Sequence, residues 1–116
     1  MRIAGLDIQP ILLHIQGEEK YEQQFVRAKQ HLIDSGISDT IFVSGINAKE
    51  QGIVGTLPYE LDNPNGGHMI GQKYVGSFLS QYMVYNVMNT LPNEYYLFME
   101  SDVNLPPNFL KLLELQ

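Results

Sequence analysis

The chain contains no cysteine. That excludes disulfides, thiol catalysis and zinc–thiolate sites, and it is compatible with a cytoplasmic location, which is the expected one. Basic residues are few: seven Lys and Arg stand against thirteen Asp and Glu, a net charge of −6. Without a basic face to neutralise phosphates, no nucleic-acid partner is expected. No apolar run approaches the roughly 20 residues of a membrane span. The N-terminal Met1-Arg2-Ile3-Ala4-Gly5 leads into Asp7 without the apolar region of a signal peptide. What remains is a globular composition, 44% hydrophobic, in a chain of 116 residues. That length predicts one domain, residues 1–116, with a core of ordinary size.

The stretch Tyr95-Tyr96-Leu97-Phe98-Met99-Glu100-Ser101-Asp102-Val103 organises the rest. Its apolar start suits a strand buried on both faces. It then ends in two carboxylates, Glu100 and Asp102, and Asn104, Pro106 and Pro107 stop the strand. Carboxyl ends of strands are where open α/β sheets bind ligands. Strand alternation puts Glu100 and Asp102 on one side, provided the strand geometry persists to Asp102. Two hard oxygen donors so placed suit a divalent cation such as Mg²⁺ or Mn²⁺. The same acids also suit a turn and a helix cap beyond a core strand.

Upstream, Pro10-Ile11-Leu12-Leu13-His14-Ile15 reads as a first strand, followed by Gln16-Gly17. A helix is predicted from Glu18 to Ser35, with Tyr21, Phe25, Ala28 and Leu32 on one face and Gly36 as its C-terminal cap. A second strand is predicted at Thr40-Ile41-Phe42-Val43, running out into a polar turn, Ser44-Gly45-Ile46-Asn47. Residues 48–71, rich in Gly and Pro, predict a long loop that holds Gly66, Gly67 and His68. A helix from Gly71 to Leu91 carries Tyr74, Val75, Phe78, Leu79, Tyr82, Tyr85 and Met88 as a wide apolar face for a sheet. A short helix over Pro106–Leu115 closes the chain.

Strand, helix, strand, helix, strand predicts an α/β fold: a small three-layer domain with a mainly parallel sheet in the order second–first–third. The switch point then lies between the first and third strands. The predicted site gathers His14-Ile15-Gln16, Ser44-Gly45-Ile46-Asn47 and Glu100-Ser101-Asp102. His14 at a strand end suits a packed structural position as well as a ligand. Ser80 suits a hydrogen bond back to its own helix as well as a pocket. Tyr74, Tyr82 and Tyr85 suit a core or an interface better than a base-stacking platform.

Two segments carry a resemblance. Gly76-Ser77-Phe78-Leu79-Ser80-Gln81 opens a helix, and Tyr96-Leu97-Phe98-Met99-Glu100-Ser101-Asp102-Val103 ends an apolar strand in acids. Together they resemble glycosyltransferase family 25, which includes lipopolysaccharide-core and collagen galactosyltransferases. The family has histidine where Gln81 stands and an aspartate where Ser101 stands. Its asparagine-leucine-aspartate and arginine pattern near the first strand is replaced by His14-Ile15-Gln16-Gly17.

The resemblance implies a partial GT-A-like (Rossmann-like) nucleotide-sugar fold, equivalent to about the first half of a family member and lacking its acceptor-binding half. It implies Asp102 as metal ligand with Glu100 as its partner, and Mn²⁺ or Mg²⁺ as cofactor. Ser80, Gln81 and Glu100 from the resemblance, with His14, Ile15, Gly45 and Asn47 from the converging strand ends, are the residues expected around the donor. The partners so implied are a nucleotide-sugar donor, UDP-linked sugars among them, and a saccharide acceptor. Self-association is a further expectation, because an unfinished sheet exposes apolar surface. Two other readings stand beside the enzyme: a noncatalytic nucleotide-sugar or carbohydrate-binding module, and a structural oligomeric domain.

Overall fold

A computed structural model of the chain describes residues 2–3, 5–47, 68–106 and 108–114. In chain order the elements are β1 (Arg2–Ile3), β2 (Leu6–Ile15), α1 (Glu19–Asp34), β3 (Ile41–Gly45), α2 (His68–Asn89), β4 (Tyr95–Glu100) and α3 (Phe109–Glu114). Strand β2 is central. It pairs in parallel with β3 on one side and β4 on the other, with Leu13 opposite both Val43 and Glu100. This is the predicted order, and the α/β class stands with it. The short β1 adds an antiparallel hairpin to the amino end of β2, with Ile3 opposite Leu6. Gly5 takes φ +82 there, a conformation that suits glycine.

The central strand begins four residues earlier than Pro10, and so contains a buried proline. A proline removes one ladder donor and is normally confined to strand edges. Pro10 occupies such an edge locally, because pairing with β3 starts only at Ile11. The Pro10 carbonyl is taken instead by the Gln9 side chain, whose Nε2 also donates to the Asp39 carbonyl at 2.7 Å.

Alternation along the strands builds two apolar layers. Leu12 and Met99 face α1, where they pack with Ala28, Leu32 and Ile37, flanked by Phe109 and Leu110 of α3. Ile11, Leu13 and Val43 face α2, where they pack with Val84, flanked by Met83, Val87, Tyr96 and Phe98. Ile11 and Leu12 are wholly buried, one on each face. Truncating either to alanine is expected to cost about 2–5 kcal/mol.

The ends of α1 follow the sequence closely. Glu18 is the N-cap, without a side-chain cap bond, and Glu19 and Glu22 lie in the first turn. At the other end Gly36 takes φ +79. Its amide donates to the Ile33 carbonyl, and the Ile37 amide donates to the Leu32 carbonyl at 2.9 Å. This is a Schellman closure, completed by the apolar packing of Ile37 with Leu32.

Helix α2 keeps Met88 of the predicted face on the sheet side but turns its aromatics outward. Its buried positions are Gly76, Ser80 and Val84, with Met83, Val87 and Met88 partly buried beside them. Phe78, Tyr82 and Tyr85 lie on the opposite side, 69%, 57% and 55% exposed. A helix that is apolar all round has no single stripe to read, so aromatic content alone misassigned its inner face. The side chains of Tyr74 and Val75, the loop glycines Gly66 and Gly67, and the His68 side chain lie outside the described residues. The backbone of His68 begins α2 rather than belonging to a loop. Among the described residues no helix is long and apolar enough to cross a membrane.

Candidate functional site

The carboxyl ends of β2, β3 and β4 lie side by side. Helix α1 covers one face of the sheet and α2 the other. The switch point of the topology therefore lies between β2 and β4. There β4 ends at Glu100, which is exposed. The strand does not continue to Asp102: the Val103 amide donates to the Glu100 carbonyl at 3.0 Å and closes a turn. The condition for shared strand sidedness of the two acids is thus not met. The turn instead buries Ser101, 7% exposed, and leaves Glu100 and Asp102 both in solvent. At the middle position of this motif a serine is easily accommodated, whereas a carboxylate would be desolvated.

The remaining predicted residues divide between the two faces. Ile15, Gly45 and Ser80 meet on the α2 side. A Cβ added to Gly45 would lie 2.6 Å from Ile15 Cδ1 and 2.8 Å from Ser80 Oγ. A side chain at Gly45 would therefore force Ile15 and the buried Ser80 hydroxyl to shift, so glycine suits this crowded end of β3. Ser80 is fully buried; its Oγ accepts from the Ile46 amide at 2.8 Å. Its role is to tie α2 to the chain leaving β3, rather than to bond back along its own helix. Gln81 lies at the surface of α2, with Nε2 3.5 Å from Ser77 Oγ.

His14 lies on the other face. It is 7% exposed and stacked on Phe25, with ring centroids 3.9 Å apart and planes 16° from parallel. Phe25 in turn meets Phe42 edge-on at 5.4 Å, and Lys29 Nζ sits 4.4 Å from the Phe25 centroid. His14 Nδ1 is buried without a hydrogen-bond partner among the described residues. Burial holds the imidazole below its ordinary range; Glu22 opposes that depression and Lys29 adds to it. His14 and Ser80 therefore lie on opposite faces of the sheet.

Asn47 is placed by the other loop of the edge: its Nδ2 donates to Glu18 Oε1 at 3.3 Å. Glu18 was not among the sequence-derived site residues, although its position after Gly17 at a strand-to-helix turn is the available signal. It makes the entry to α1 acidic, with Glu19 and Glu22 behind it. A helix N-terminus ordinarily favours anions. Here three carboxylates already occupy that field.

Among the described residues no group of three or more His, Asp or Glu is arranged to hold a metal ion. Glu100 and Asp102 supply two hard donors. That number fits Mg²⁺ or Mn²⁺, which take one or two carboxylates and complete their shell with water and substrate phosphate. A cleft of about 400 Å³ lies elsewhere, between the C-terminal end of α1 and the segment after β4, lined by His31, Asp34, Ser35, Asn104, Leu105 and Pro106. The chain matches no protein-family model, no curated protein and no solved structure.

Proposed function

We propose that this chain binds a nucleotide-sugar at the carboxyl edge of its sheet. Glu100 and Asp102 would hold the Mn²⁺ or Mg²⁺ that bridges the donor diphosphate. In this reading the chain is the donor-binding part of a cytoplasmic glycosyltransferase resembling family 25, with a GT-A-like fold and a saccharide acceptor. The observation that carries it is the turn after β4, which presents both carboxylates to solvent beside the switch point while burying Ser101. The acidic entry to α1, with Glu18, Glu19 and Glu22, opposes a bare diphosphate, so this reading needs the cation to neutralise it. When bound, the cation stabilises the charge growing on the nucleoside diphosphate as the sugar–phosphate bond breaks.

One observation favours binding without transfer. Gln81 stands where the family has histidine, and an amide does not exchange a proton near neutral pH. His14 is buried on the α1 face and does not replace it.

Calorimetry with UDP, with and without Mn²⁺, tests the proposal. Mn²⁺ is expected to strengthen binding, and Asp102→Asn to remove roughly tenfold or more of that gain, because an amide keeps the shape but loses the charge. Equal affinity in wild type and variant would sink the role given to Asp102. Mass spectrometry of the chain with nucleotide sugars, Mn²⁺ and saccharide acceptors then separates enzyme from binding module. Little or no product is expected, and multiple turnover abolished by Asp102→Asn would establish transfer.

A further inference from the structure

The last turn of α1 and the segment after β4 enclose a cleft of about 400 Å³, a volume within the range of small-molecule pockets. None of the residues assigned to a nucleotide or its metal lines this cleft, so it stands independently of that reading. Its walls differ in character. Leu105 and Pro106 make an apolar wall, and Leu105 packs against the core beneath α1. His31, Asp34, Ser35 and Asn104 make a polar one.

The polar wall selects the charge of a guest. Asp34 is exposed, and Gln30 Nε2 donates to its Oδ1 at 2.8 Å, which steadies the carboxylate. Among the described residues Asp34 forms no ion pair. Helix α1 ends at Asp34, so the negative end of its dipole lies on the same wall. Ser35 caps the helix and is 7% exposed, and its Oγ is buried without a hydrogen-bond partner among the described residues. A hydroxyl so placed gains from a polar group brought to this wall. The net charge of −6 adds a long-range field that draws cations and repels anions.

We infer that this cleft binds a small organic amine. Its ammonium group meets Asp34 and the end of α1, and its apolar body lies on Leu105 and Pro106. A bare divalent ion fits less well, because one carboxylate is too few hard donors and the apolar wall would go unused. A carboxylate or phosphate would bring the wrong charge to Asp34 and to the helix end. A neutral molecule of the same shape would keep the apolar contact and forgo the attraction.

Tryptamine is the probe, with tryptophol and indole-3-acetate as neutral and anionic ligands carrying the same ring. Amide resonances of the whole chain are followed by two-dimensional NMR up to about 10 mM ligand, a range that captures weak binding. Tryptamine is expected to shift the amides of His31 to Gly36, Asn104 and Leu105. It should bind more tightly than tryptophol, and indole-3-acetate should bind least. Asp34→Asn keeps the shape and the oxygen that accepts from Gln30. It is expected to weaken tryptamine about two- to fivefold, the effect of losing one exposed charge pair, and to leave tryptophol unchanged. Glu19→Gln removes the same charge at the other end of α1 and is expected to leave tryptamine binding unchanged. Shifts that do not localise to the cleft overturn the inference. So does either comparison ligand binding as tightly as tryptamine, or an Asp34→Asn effect no larger than that of Glu19→Gln.

Discussion

Ser80 Oγ accepts the hydrogen of the Ile46 amide at 2.8 Å, across 34 positions of sequence. The bond fastens the middle of α2 to the chain as it leaves β3. Gly45 lets the two elements come that close, since a Cβ there would meet Ser80 Oγ at 2.8 Å. Ser80→Ala leaves the Ile46 amide without this acceptor and is expected to cost about 1–3 kcal/mol. Gly45→Ala overpacks the same spot, for about 1–3 kcal/mol. The double variant removes the serine oxygen, one of the two atoms the new methyl would strike, and leaves the Ile15 contact. Its loss in urea denaturation should therefore be smaller than the sum of the single losses. Strict additivity would mean that the two residues do not act through one contact.

The buried His14 predicts a pH dependence with a definite sign. Burial lowers its native pKa, whereas the unfolded chain titrates near about 6.5. Between those values the unfolded state binds more protons, so stability rises with pH. The contribution is complete above about 6.5. It is lost progressively as pH falls from there to the lowered native value, and then levels off. His14→Phe keeps a ring against Phe25 and removes the titration. The urea midpoint of this variant should fall less between pH 7.5 and pH 5.5 than that of the wild type. Identical slopes would show that His14 carries no linkage.

The Tyr96 hydroxyl gives a third expectation. It donates to the Met88 carbonyl at 3.0 Å and to the Leu91 carbonyl at 3.2 Å, closing the C-terminal end of α2. Tyr96→Phe preserves the ring's packing and leaves these acceptors to water or to weaker local bonds. A loss of about 0.5–1.5 kcal/mol is expected. Amide exchange should accelerate in the last turn of α2 while β2 stays protected. Equal acceleration in both would instead point to global destabilisation.

Particular residues explain how much was legible beforehand. The order of the three parallel strands was readable because Ile11–Leu13, Ile41–Val43 and Leu97–Met99 are short apolar runs bounded by turn residues. Gly36 was readable as a cap because it follows a clear amphipathic stripe. The first four residues of β2 were not, since Pro10 resembles a strand start and Leu6-Asp7-Ile8-Gln9 looks only half-buried. The inner face of α2 was not readable either. Aromatic residues outweigh Ser80 and Gly76 in any hydrophobic count, yet the small residues are the buried ones, and Ser80 meets the end of β3 at Gly45. Of the site, the placement of Glu100 at a strand end was legible. The turn that follows depends on a backbone bond that residue type does not specify. The separation of His14 from Ser80 follows from strand parity and from which helix covers which face, so it needed the topology first.

The acidic entry to α1 yields a test of where a diphosphate would sit. Glu19 and Glu22 are exposed in the first turn, and Glu18 caps it while contacting Asn47. A phosphate bound by the helix N-terminus would feel all three charges directly. A phosphate held through a cation at Glu100 and Asp102 would feel them more weakly, as screened neighbours. Glu19→Gln and Glu22→Gln keep side-chain size and leave the Glu18 contact in place. Each is expected to strengthen metal-free UDP binding by about two- to fivefold at low salt, as removing a like charge near a helix end does. Affinity in the presence of Mn²⁺ should change less, so that the metal dependence narrows. Titrations with and without Mn²⁺, repeated at two ionic strengths, decide the matter. If both substitutions raise affinity equally with and without the metal, the phosphates sit on α1 and not at the turn after β4.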